Sequence, residues 1–349
     1  MKYWILCLIA ALTVGCKSAD EPVESVRRTL LIYMETRNSL DRDADDDLRE
    51  MAAAEIPADC RLLVYKSRYD VAPSIVEIRN GRETVLKTYA EDASAVDPEQ
   101  MQTVLADVRA LAPARSYGLV LWSHSSGWRQ SPKKSRAFGL ENSSKEMKIT
   151  DLSLALAGFP AEFIVFDTCY MGCVEVAYEL RNRAKYLVAS VCEVPTGGMP
   201  YDLTLPALFS AATVNGLKAA VDATVDHYLA SSERCPSTLS VIDLSRLDDL
   251  AASFAAVSSN PLPANYEAQQ FSLSNPYRTL FFDLGQYLEA LGGDPAPLRQ
   301  AVIHERHTPM IWGQLPIVRC SGLSVFIPAV TPGLSYASYG YNSLSWSKL

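Results

Sequence analysis

The sequence predicts an α/β fold built on a mostly parallel central sheet. Two near-continuous apolar runs carry that reading, Tyr117-Gly-Leu-Val-Leu-Trp-Ser-His124 and Glu162-Phe-Ile-Val-Phe-Asp-Thr-Cys169. Runs of this kind suit central strands buried on both faces. Strand-like and helix-like segments also alternate along the first half of the chain, as helices covering both faces of a parallel sheet require. Each run ends on a reactive side chain, and open α/β sheets collect their chemistry beyond the carboxyl ends of the strands.

Taken in order, Thr29-Leu-Leu-Ile-Tyr-Met34 reads as the first core strand, followed by an acidic stretch over 41–47 and a helix near 48–54. Cys60-Arg-Leu-Leu-Val-Tyr65 is a second strand. Residues 74–79 and 83–87 form a hairpin, with Asn80-Gly81 supplying the positive φ angles of a tight turn. Asp97 caps a helix that opens on Pro98 and runs to about Leu111. A helix ending near Gly158 precedes the Cys-bearing strand, and a helical pattern over 171–183 follows it. Strands at 186–190, 238–242 and 322–327, helices near 217–231 and 244–257, and an aromatic segment at 336–349 complete the chain.

The 349 residues, 48% of them hydrophobic, are ample for a large core. A net charge of −8 and a pI near 5.2 argue against a nucleic-acid-binding surface and against charge-driven docking on anionic lipid. Residues 1–15 have the short basic start and brief apolar stretch of a signal peptide, too short to span a bilayer as a mature helix. Leu12-Thr-Val-Gly-Cys16 resembles a bacterial lipobox, with Thr13 where a large aliphatic is usual, and makes Cys16 the expected lipidation site. The expected division is a signal peptide over 1–15, the lipidated Cys16 and a polar tether over 16–28, and one domain over 29–349 with a C-terminal extension packed on it. The expected location is a bacterial membrane, periplasmic or at the cell surface, with the lipid as the only membrane contact. Six cysteines remain beyond Cys16, too few and too scattered for a disulfide scaffold.

A thiol needs a nearby cation or helix N-terminus to become a nucleophile. Cys169 is expected at a strand-to-helix junction, with His124 at an equivalent strand end to protonate a leaving amine. The backbone N–H groups of Ser125 and Cys169 would receive the oxyanion. Asp167, two residues before Cys169, emerges on the same face of the strand and can meet a basic substrate side chain. His304 and His307 lack the further ligands of a zinc site, and residues 41–47 lack the spacing of an EF-hand, so no metal is assigned.

Several segments carry a family resemblance. They are Thr29-Leu-Leu-Ile-Tyr-Met34 with Asn38-Ser-Leu40, Leu119-Val-Leu-Trp-Ser-His-Ser-Ser-Gly-Trp128, and Phe166-Asp-Thr-Cys-Tyr-Met-Gly172 with Glu175-Val-Ala-Tyr178. Together with Tyr186-Leu-Val-Ala-Ser190, Gly198-Met-Pro-Tyr201 and Gly322-Leu-Ser-Val-Phe-Ile-Pro328, they resemble the clostripain family of cysteine peptidases. The resemblance implies a caspase-like α/β/α sandwich, a His124–Cys169 dyad and endopeptidase cleavage of proteins or peptides after Arg or Lys. It also associates Asp167 with that basic specificity; Asp202 and Ser190 are further candidates for the pocket. The chain departs from the family at Ser125, where Gly is usual after the His. The chemistry requires no cofactor, and a calcium effect known among relatives has no locatable site here. Between the two strands, residues 129–148 form a basic loop whose Lys133, Lys134 and Arg136 are candidate self-cleavage points of a zymogen. Two other functions fit the same residues: a non-catalytic binding lipoprotein on this fold, and a Cys-dependent amidase.

Overall fold

The computed structural model of the protein describes residues 25–129, 137–231, 234–274, 280–331 and 336–349. Its frame is a nine-stranded sheet. The first five strands in the chain that join it are β1 (Val26–Glu35), β2 (Cys60–Ser67), β3 (Ser74–Arg79), β4 (Arg82–Thr88) and β5 (Ala114–Trp122). A short hairpin of β6 (Phe138–Glu141) and β7 (Lys145–Met147) stands apart from the sheet. β8 (Ala161–Asp167), β9 (Tyr186–Ala189), β10 (Thr238–Asp243) and, after the two-residue β11 (Phe282–Asp283), β12 (Val302–His307) complete the nine. The spatial order is β12-β10-β9-β8-β5-β1-β2-β3-β4. The five central strands run parallel, and the outer pairs on both sides are antiparallel.

Each central strand alternates its side chains between two cores. Leu119 and Leu121 of β5 pack with Ile164 and Phe166 of β8 on one face, while Val120 and Trp122 join Phe163 and Val165 on the other. The first face is covered by α2 (Pro98–Leu111), α3 (Ile149–Ala155), α4 (Val174–Glu179) and α7 (Leu247–Ala255). The second is covered by α1 (Asp43–Ala53), α5 (Tyr201–Leu208) and α6 (Thr213–Ala230). The expected α/β sandwich is therefore present, and the local signals operate as read. Asp97 accepts from the Glu99 N–H at 2.9 Å at the start of α2, and Asn80 and Gly81 turn the β3–β4 hairpin at φ +52° and +72°.

Four elements differ from expectation. The sheet starts at Val26 rather than Thr29, because Arg28 is drawn inside by Glu162 at 2.8 Å, the Thr213 hydroxyl at 2.6 Å and the carbonyls of Leu208 and Ser210. The tether thus ends before residue 26. α1 begins at Asp43, since Asp43, Asp45 and Asp46 occupy the first turn, where the helix dipole favours acidic groups. The helix after β8 starts only at Val174 instead of residue 171, because Tyr170 and Gly172 donate their N–H groups to the carbonyls of Cys192 and Ser190 at 2.9 and 2.7 Å. Finally, the run at 322–327 is paired only over Ser324 and Val325, against β11, with Ser324 also bridging Cys173. The terminal aromatic segment packs on the first core, with Trp346 stacked on Phe254 at 4.7 Å between centroids.

Candidate active site

Register brings the two reactive strand ends together. β5 and β8 are parallel neighbours with Trp122 opposite Asp167, so His124 and Cys169 each follow two residues beyond a matched pair. Both line one pocket of about 100 Å³, together with Leu40, Trp122, Ser123, Asp167, Thr168, Val194, Pro195, Thr196 and Gly198. Ser125 ties the two loops directly, its hydroxyl donating to the Cys169 carbonyl at 2.5 Å. Among the described residues, the backbone N–H groups of Ser125 and Cys169 are bonded to no acceptor.

The thiol is in a different electrostatic setting from the one expected. Cys169 lies five residues ahead of the first helical residue, so α4 does not direct its N-terminus at the sulfur. Instead the sulfur faces the Val194 backbone, 3.4 Å from its N and 3.7 Å from its O. Burial pushes the Cys169 thiol up to about 12, partly opposed by that Val194 N–H, and the carboxyl of Glu193 adds to the rise. At neutral pH the resting sulfur therefore carries its proton. Tyr170, next in the chain, holds φ +62°, a conformation uncommon for a bulky residue and one that turns the chain sharply after Cys169.

Asp167 is 5% exposed and forms part of the pocket wall. Its Oδ2 accepts from the Met199 N–H at 3.0 Å and from the Tyr201 hydroxyl at 2.8 Å. Burial still pushes it up to about 6. Nearby Asp47, which accepts from the Trp122 indole N–H at 2.6 Å, is pushed up to about 9 by burial and then by Asp167. Two carboxyl groups thus share this end of the site with unequal affinity for a proton.

Of the other candidates, Ser190 lines a smaller cavity that adjoins the pocket through Asp167, Val194, Pro195 and Gly198, its hydroxyl 2.8 Å from Thr238 Oγ1. Asp202 is not brought to the pocket: it is exposed in the first turn of α5. Cys16, Lys133, Lys134 and Arg136 lie outside the described residues. His304 and His307 fall on the outermost strand β12, with His304 paired to Asp222 at 2.8 Å. Among the described residues no cluster of three or more metal-ligating side chains is assembled.

Sequence reasoning passed over Asp47, Val194 and Ser39. Ser39 Oγ lies 2.8 Å from His124 Nε2. Its signal was its place in Asn38-Ser-Leu40, beyond a strand adjacent to β5.

A nine-stranded sheet with a parallel core between two helical layers, with a His and a Cys after adjacent strands, defines the caspase-like class of cysteine peptidase fold. The clostripain family model matches residues 32–284. The chain belongs to the clostripain family and is a cysteine peptidase. Among solved structures, it is similar to a secreted C11 cysteine protease from Bacteroides thetaiotaomicron in complex with an irreversible peptide inhibitor. That match has 27% identity and a TM-score of 0.80, covering 93% of this chain and 98% of the other. An inactive zymogen C11 protease from Parabacteroides distasonis matches at 28% identity and TM-score 0.79, covering 94% and 99%. A clostripain from B. thetaiotaomicron in complex with the peptide inhibitor BTN-VLTK-AOMK matches at 27% identity and TM-score 0.51, covering 60% of this chain and 96% of that one. No curated protein matches the chain.

Proposed function

We propose that the protein is an exported endopeptidase that cleaves after Arg or Lys through Cys169 and His124. The observation that carries this reading is a single pocket lined by His124, Cys169 and the buried carboxyl of Asp167. With the resting thiol protonated, His124 takes the proton as sulfur attacks the scissile carbonyl, then gives it to the leaving amine. Water, deprotonated by the same imidazole, releases the acyl group from sulfur. The uncommitted N–H groups of Ser125 and Cys169 supply the oxyanion donors. Ser125 provides the same backbone donor as the usual Gly, while its hydroxyl fastens the His loop to the Cys169 carbonyl.

Asp167 is the partner for the substrate's basic side chain, at the end of the pocket where Met199 and Tyr201 hold it. The similar clostripain bound to an inhibitor whose peptide ends in Lys is in keeping with that choice. Self-cleavage at Lys133, Lys134 or Arg136 activates the chain, a reading in keeping with the protonated thiol and with the similar zymogen. Cys16 carries the lipid that anchors the exported protein; among the described residues no helix is long and apolar enough to cross a membrane.

Fluorogenic peptides ending in Arg, Lys or a neutral residue test the proposal, before and after trypsin nicking of the loop. Turnover of the basic peptides, lost in Cys169→Ala, is the expected result. No turnover after nicking favours a binding lipoprotein instead, and turnover of small amides alone favours the amidase.

A further inference from the structure

His124 is held by more than its own strand. Ser39, whose hydroxyl lies 2.8 Å from His124 Nε2, sits on the turn after β1. That turn is fixed by Asn38, whose Oδ1 accepts from the Leu40 N–H at 2.8 Å and whose Nδ2 donates to Glu35 Oε2 at 2.9 Å. Ser123, the residue before His124, donates its hydroxyl proton to the same Glu35 oxygen at 2.7 Å. The Leu140 N–H reaches that oxygen as well, at 3.1 Å, so β6 is tied to the same point. Glu35 itself is fully buried at the end of β1. The segments bearing Ser39 and His124 thus hang from one carboxylate oxygen, which fixes their separation before any substrate arrives.

We propose that Ser39 is the positioning residue for His124, accepting a hydrogen bond from its Nε2–H so that Nδ1 exchanges the proton with Cys169. This rests on the reading of His124 as the proton carrier of the peptidase. The cycle balances: the thiol proton moves to Nδ1, the Nε2 proton stays on the ring, bonded to Ser39 Oγ, and the Nδ1 proton leaves with the amine. The hydroxyl also stabilises the imidazolium formed in between, because it accepts from the charged ring. Ser39 does not line the pocket, whereas its neighbour Leu40 does. Its removal should therefore act on the chemical step rather than on binding.

The test compares Ser39→Ala and Ser39→Thr in the full-length chain by two readouts. In turnover of an Arg or Lys peptide, Ser39→Ala is expected to lower kcat about tenfold with KM nearly unchanged. Ser39→Thr, which keeps an Oγ, should restore most of the loss. In alkylation of Cys169 by iodoacetamide at neutral pH, without peptide, the reaction draws on the small fraction of thiolate–imidazolium pair. There Ser39→Ala should lower the rate about threefold across the neutral range of the pH profile, since a less stabilised imidazolium supports less thiolate. Ser39 is exposed, so the substitution opens no core cavity. The inference is overturned if Ser39→Ala matches the parent protein in both readouts, or if Ser39→Thr loses as much as Ser39→Ala. If the parent protein turns over no basic peptide, the peptidase reading fails on its own, and the alkylation profile still decides the role of Ser39.

Discussion

Replacing Asp167 with Asn is expected to make the protein more stable while removing its preference for basic residues. Burial raises the Asp167 pKa from 3.8 to about 6. The folded chain therefore binds this proton more tightly than the unfolded chain does. Stability is greatest below the unfolded value and falls as pH rises from 3.8 to about 6, after which the full cost is present. A difference of this size corresponds to roughly 3 kcal/mol at pH 7. Asn does not ionise, so the variant escapes that cost; its weaker bonds from Met199 and Tyr201 return about 1 kcal/mol. The net gain of about 2 kcal/mol raises the melting temperature by about 3 °C for a chain of this size. Loss of the charge removes the partner of a desolvated substrate cation, worth about 2–5 kcal/mol, so kcat/KM for Arg and Lys peptides should fall about 30-fold or more. Neutral peptides should be little affected. Thermal melts at pH 7 and pH 4, with kinetics on matched basic and neutral peptides, provide the assay. A variant that melts lower at pH 7, or that keeps the preference for basic peptides, refutes the reasoning.

Three further outcomes follow from the same geometry. In the parent protein, kcat/KM for a basic peptide should decline below about pH 6 as Asp167 gains its proton, and Asp167→Asn should lack that limb; a limb that persists assigns it to another group. Gly198→Ala places a Cβ 2.7 Å from Asp167 Oδ2 on a backbone at φ +53°. It should destabilise the fold by about 1–2 kcal/mol and lower turnover of basic peptides at least tenfold, as read by urea unfolding and kinetics. Trp346→Ala removes a side chain stacked on Phe254 and edge-on to Tyr178, and should cost about 3–5 kcal/mol in urea unfolding if the C-terminal segment is part of the domain core.

The strands of the first half were legible because hydrophobic period and length speak for themselves. Leu30 to Met34 and Phe163 to Phe166 are buried on both faces, as uninterrupted apolar runs require. The same runs located His124 and Cys169, since a parallel strand leaves its next residues at the sheet's carboxyl edge. The start of α4 was not legible: the chain after Cys169 has helical propensity, but the backbone of Tyr170 is claimed by Cys192 and that of Gly172 by Ser190 and Ser324, from distant parts of the chain. The thiol's state was hidden for a related reason. A sulfur enclosed by the 192–196 loop is governed by burial, which sequence proximity to a helix does not report. Ser39 and Asp47 reach the site only because β1 pairs beside β5 and α1 packs under Trp122, relations set by topology.

The most direct measurement is covalent capture. A peptidyl acyloxymethyl ketone ending in Arg or Lys is incubated with the nicked protein, and the labelled residue is located by peptide mapping and mass spectrometry. Stoichiometric label on Cys169, abolished in Cys169→Ala, strongly reduced in Asp167→Asn and absent with a neutral-ended probe, is the expected result. Label on another cysteine, or equal capture of basic and neutral probes, contradicts a Cys169 nucleophile paired with an acidic pocket.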